Sequence, residues 1–147
     1  MKYGNLIFEK KEFSMIKNYR ADRYPLEDYA HKNLLELLDV NMSTALLFNA
    51  DELPSDSVRM YSLVTVSITT KWSETFQLVA PFEANTKKNK VSVISSLGAT
   101  VIGLSENDTV LYGLPGNRLS LNISEVKQMR KGQGSNTSEI NKMMKLK

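Results

Sequence analysis

Up to about residue 50 the apolar positions recur at helical spacing, and from Ser57 onward they alternate. In the first half, Pro25 followed by Glu27 and Asp28 reads as a helix start, because proline tolerates the first turn and carboxylates there complement the helix dipole. From it Leu26, Ala30, Leu34, Leu37 and Leu38 make one apolar face that extends through Met42 and Ala45. Such a face needs a neighbour. Phe8, Met15, Ile16 and Tyr19 supply it from upstream, with "RADRYP" as the turn between the two. Arms over residues 10–21 and 25–38 therefore predict a short antiparallel helical hairpin within residues 1–50.

"ADELPSDS" breaks the pattern with Pro54 at its centre, and the period then changes to two. In "SLVTVSIT" Leu63, Thr65 and Ser67 alternate with Val64, Val66 and Ile68; "ETFQLVA" alternates again after the loop "TKWS", so the two make a hairpin with Trp72 in its loop. "VSVIS", "TVLYGL" and "RLSLNISEV" follow as third, fourth and fifth strands, the last two joined by a Pro115-Gly116-Asn117 turn. A mostly antiparallel sheet is expected. Between the third and fourth strands "SSLGATVIGL" points both ways. Thr100, Val101 and Ile102 favour strand and each glycine weakens a helix by about 1 kcal/mol. Ser95 or Ser96 suits an N-cap, however, and Gly103 a helix end.

The chain has 147 residues, 41% of them apolar, about one domain's length with enough apolar content for its own core. It has no cysteine, which excludes disulfides and thiolate metal sites and suits a reducing compartment. The apolar start "MKYGNLIF" ends at Glu9 and Lys10, too soon for a signal peptide, and no run has the length of a membrane span. A cytoplasmic location is expected. The net charge of +3 is uneven: residues 127–147 hold six Lys/Arg against Glu139 alone, whereas residues 1–126 hold thirteen against fifteen acids. The folded body thus reads as slightly acidic, with residues 51–127 as its sheet domain after the helical hairpin, and 128–147 reads as a basic flexible tail suited at most to a weak contact with nucleic acid phosphates.

"DELPSDSVRMYSLVTV", "PFEANTKKNKVSVISSLGATVIGL" and "DTVLYGLPG" together resemble the C-terminal domain of the GreA/GreB transcription factors. They resemble still more closely the Rnk-type RNA polymerase-binding regulators, over roughly residues 50–126, with Glu52, Pro54, Asp56, Val58, Met60, Ser62 and Val64 following the Rnk pattern. The resemblance implies an α+β fold, an FKBP-like sheet with one packed helix, and so makes "SSLGATVIGL" that helix. It also implies RNA polymerase as partner, bound near its secondary channel, with Ser95, Ser96 and Leu97 at the contact. Where Gre factors read Asp/Asn-Ser-Pro before this helix, the chain has Ile94-Ser95-Ser96.

Self-contained chemistry is sparse. No nucleophile elbow or Walker-type glycine loop occurs. His31, the only histidine, sits between Ala30 and Leu34 and reads as an exposed helix residue. Asp51, Glu52 and Asp56 read as caps of a solvated linker rather than cation ligands. No catalytic residue, metal ligand or cofactor is expected. The leading function is a non-catalytic transcription regulator. The alternatives are a Gre-type factor stimulating transcript cleavage, whose long coiled coil delivers acids to the polymerase's catalytic metal, and an FKBP-like peptidyl-prolyl isomerase. At about 1.5 Å per residue the two arms reach only some 20 Å. The acids at their tip, Asp22, Glu27 and Asp28, are interleaved with Arg20 and Arg23, which neutralise a metal-directed point.

Overall fold

The computed structural model describes residues 1–22, 24–68, 72–114 and 116–129. The chain enters through a three-residue strand, β1 (Ile7–Glu9), which runs parallel to β2 (Leu46–Phe48), and two twelve-residue helices lie between them, α1 (Lys10–Ala21) and α2 (His31–Met42). Then come β3 (Leu63–Ser67), β4 (Ser73–Val79), β5 (Lys90–Ser92), the short helix α3 (Ser96–Val101), β6 (Thr109–Tyr112) and β7 (Leu119–Lys127). These five strands form one sheet in the order β5-β4-β3-β7-β6, antiparallel except for the β4–β5 pair. The expected α+β architecture and mostly antiparallel sheet are present. Among the described residues no helix is long and apolar enough to cross a membrane.

The alternating apolar sets of β3, β4 and β7 line the core, although Leu63, Thr75, Gln77 and Val79 on the other face are buried too. Val64 and Val66 of β3, Phe76 and Leu78 of β4, and Leu121 and Ile123 of β7 are fully buried in a single core. That core does not stop at the sheet, because Leu6, Phe8, Ile16, Leu35, Leu38 and Met42 belong to it as well. Gly103 explains part of the junction. It holds φ at +79°, and a Cβ there would lie 3.0 Å from the Phe8 ring, so glycine both ends the α3 segment and makes room for the aromatic ring of β1. The Ile7 amide donates to the Gly103 carbonyl at 3.0 Å, and the Gly103 amide donates to Val58 at 3.1 Å.

Both N-terminal helices are held against this body. Glu12 of α1 accepts from the Met60 amide and from Arg59, each at 2.8 Å. Near the other end of α1, Arg20 donates through Nε (2.9 Å) and Nη2 (2.6 Å) to the two carboxylate oxygens of Asp39 on α2, a bidentate fork of the kind that fixes geometry as well as charge.

Two expectations need correction. The buried stripe of α2 is His31, Leu35, Leu38 and Met42; of the seven residues assigned to the inner face Leu38 and Met42 are buried, while Leu26 and Leu37 are exposed. The helix begins at His31 rather than at Pro25, and its inner face is turned by about one residue, 100° of helix, from the leucine stripe. Leucines are available on both faces, so composition alone left the rotation open. Phe8, assigned to the first helix, lies in β1.

Candidate partner-docking rim

The rim is built around the start of α3. Ser95 has extended backbone and its Oγ accepts from the Gly98 amide at 3.1 Å, making it the N-cap, while the same hydroxyl donates to the Ser92 carbonyl at 2.6 Å. The hydroxyl thus ties the end of β5 to the helix. Gly98 allows the approach: a Cβ there would fall 2.0 Å from the Ser92 carbonyl oxygen. Ser95, Ser96 and Leu97 are each half-buried, and Leu97 packs against the edge of the core.

Glu27 and Ser96, far apart in sequence, meet here. The Ser96 amide donates to Glu27 Oε2 at 2.6 Å, satisfying one of the amides that a helix start leaves open. Asp28 works next to it as a cap, its Oδ1 accepting from the Ala30 amide at 2.9 Å and the His31 amide at 3.0 Å. Asp22 is the C-cap of α1, its amide donating to the Asn18 carbonyl at 3.3 Å, and it lines a cleft of about 330 Å³ with Arg20, Tyr24, His31 and Ile94. The tip acids and the rim residues therefore share one end of the molecule. Burial first, and then the charges of Glu27, Asp28 and Glu74, hold the nearby Tyr112 phenol above its ordinary value.

His31 was expected on the surface and is instead 4% exposed. Its Nδ1 accepts from the Glu27 amide at 2.9 Å, so the ring hydrogen sits on Nε2 and is donated to the Ile94 carbonyl at 2.8 Å. The imidazole clamps the α1–α2 connection to the residue before the rim. The signal that could have found it is local: Asp28 three positions ahead caps the His31 amide and turns that residue inward at the first position of the helix. Both nitrogens are committed to backbone groups, and among the described residues no three His, Asp or Glu side chains are grouped to hold a metal ion. What the arrangement offers is a shaped surface.

Next to the rim, a groove of about 680 Å³ runs between α2, α3 and β6, with Leu34, Leu37, Ser96, Thr100, Leu111 and Tyr112 among its walls.

Residues 53–128 match the family model described as "Transcription elongation factor, GreA/GreB, C-term". The chain belongs to the GreA/GreB family. It is 29% identical over 101 residues to the transcription elongation factor GreA of Syntrophus aciditrophicus, covering 68% of this chain and 62% of that protein. To GreA of Pseudomonas aeruginosa it is 27% identical over 94 residues, 63% of this chain and 60% of that one. The chain thus spans about three fifths of the length of these curated relatives. In fold it is similar to the solved prokaryotic transcription elongation factor GreA/GreB from Nitrosomonas europaea, with a TM-score of 0.66 at 20% identity over 84% of this chain and 98% of that one. The GreA/GreB family match begins beyond α2, so the two helices and Glu27 lie outside it, while Ser96, which Glu27 contacts, lies within it.

Proposed function

We propose that this GreA/GreB-family protein binds RNA polymerase near its secondary channel and regulates transcription without stimulating transcript cleavage, in the manner of Rnk. The observation that supports this most is the use made of Glu27 and Asp28, two of the three acids at the tip. A cleavage factor has to present free carboxylates at the end of a projecting arm. Here Glu27 is held by the Ser96 amide, Asp28 caps α2, and the arms are short and docked along the body through Glu12, Ile16 and Leu35. A carboxylate that satisfies a backbone amide is not free to ligate a metal carried by a partner. The contact itself is assigned to Ser95, Ser96 and Leu97, because loops and caps on a rigid sheet are where partners engage.

Purified RNA polymerase and backtracked elongation complexes test this directly. The expected result is binding that competes with a GreA factor, with no shortened transcripts above background. Leu97→Asp, checked for folding by circular dichroism, is expected to weaken binding by replacing an apolar contact with a desolvated charge, and Ser96→Lys provides a second variant outside the core. Transcript shortening that vanishes with Asp22→Ala or Glu27→Ala would establish cleavage instead. Undiminished binding by both rim variants would move the contact elsewhere.

A further inference from the structure

Successive side chains of a strand point to opposite faces, yet Val110, Leu111 and Tyr112 all line the same groove. Consecutive residues can do that only where a groove runs along the strand's edge. β6 is the terminal strand of the five-stranded sheet, so among the described residues its outer backbone edge has no strand partner, and the groove lies along it. Proteins normally protect such edges with charge, proline or a bulge. The opposite edge follows that rule: β5 carries Lys90, comes just after Lys87 and Lys88, and is bridged by Asn85. β6, Thr-Val-Leu-Tyr, has no charge and no proline, and its register with β7 is continuous. Leu111 is 61% exposed on it.

We propose that this edge is the interface of a symmetric homodimer, in which two copies of the chain pair β6 to β6, antiparallel, about a two-fold axis at Leu111. The strand is self-complementary in that register. Leu111 faces its own copy, and on the helix side Val110 faces Tyr112 of the second copy, a β-branched and aromatic pair of the kind that stabilises strand pairing. The charges also agree. Arg118 and Asp28 both line the groove at its Tyr112 end, Arg118 preceding the strand partner of Tyr112 and Asp28 acting on its phenol. Antiparallel pairing sends these groups to opposite ends of the joined sheet, so like charges do not meet. Leu37 of each copy is covered on the same side. Because Ser96 and Thr100 also line the groove, the dimer covers the rim assigned to polymerase; the inference itself rests on β6 and stands whether or not that assignment holds.

Sedimentation equilibrium of the full chain at high micromolar concentration is expected to show a reversible monomer–dimer mixture, as befits a small interface. Leu111→Lys, which sets two ammonium groups face to face at an exposed position, is expected to weaken dimerisation at least about tenfold while leaving the melting curve unchanged. Leu111→Cys, in a chain with no other cysteine, is expected to form a disulfide-linked dimer under mild oxidation, and Leu47→Cys on the exposed surface of β2 is not. A chain that stays monomeric throughout that range overturns the proposal. So does a Leu111→Lys chain that dimerises like the parent, or cross-linking at position 47 as efficient as at 111.

Discussion

Gly98→Ala is the sharpest test of the packing that shapes the rim, because helix propensity and close packing act with opposite sign. In a solvent-facing helix alanine is favoured over glycine by about 1 kcal/mol. In α3 the added methyl carbon would lie 2.0 Å from the Ser92 carbonyl oxygen and 2.9 Å from its carbon. The obstacle is backbone and cannot rotate away. Ordinary contact begins at 3.4 Å, so α3 and the end of β5 must separate by about 1.4 Å. Overpacking of a buried site costs about 1–3 kcal/mol. Separation also disturbs the Ser95 hydroxyl bond to Ser92 and the His31 bond to Ile94, each contributing about 1 kcal/mol. With the propensity gain subtracted, a net loss of about 3 kcal/mol is expected, close to 10 °C in melting temperature for a chain of this size. Thermal and urea unfolding followed by circular dichroism measure it. A Gly98→Ala protein as stable as the parent, or more stable, would refute the close approach of α3 to β5.

The remaining expectations concern the clamp and the N-terminal clasp. His31→Leu leaves the Glu27 amide and the Ile94 carbonyl without partners in a buried site and is expected to cost about 2–4 kcal/mol in urea unfolding, with His31→Gln restoring part of it. Asp56 is bound by the ammonium of Lys2 and, at 2.9 Å, by the Tyr3 hydroxyl. Burial pushes its carboxyl up, but those two hydrogen bonds outweigh it and hold the group below 3.8. Its contribution is therefore fully present above that pH and is lost as pH falls through the depressed value, so Asp56→Asn should flatten the acid limb of the stability profile below about pH 4.

The strands were legible because apolar residues recur at every second position of β3, β4 and β7, even though β4 is buried on both faces from Thr75 to Val79. β1 and β2 were not, since three residues such as Ile7-Phe8-Glu9 are too few to show a period and were absorbed into the neighbouring helical pattern. The rotation of α2 was hidden for the opposite reason: Leu34 and Leu37 look as apolar as Leu35 and Leu38, and only the packing against α3 decides which pair turns inward. "SSLGATVIGL" could not be decided by propensity because Gly98 answers to a contact with Ser92, six residues away along the chain but adjacent in space. The basic tail that composition assigned to 128–147 lies, beyond Met129, outside the described residues.

The connection between α1 and α2 matters most for function, and there sequence and structure give one residue two different meanings. In the sequence, Glu27 is an acid at the tip of a hairpin, next to Asp28 and near Arg20 and Arg23. In the fold its carboxylate occupies the Ser96 amide while its own amide is held by His31, whose other nitrogen reaches Ile94. Three backbone groups from two distant segments are thus satisfied through one glutamate and one histidine. Removing the carboxylate would free a single half-exposed amide and cost little, whereas removing the imidazole would orphan two groups in a buried place. A role for Glu27 in positioning the rim therefore predicts that Glu27→Ala alters polymerase binding with little change in stability. A purely structural role for the clamp predicts that only His31 variants change either.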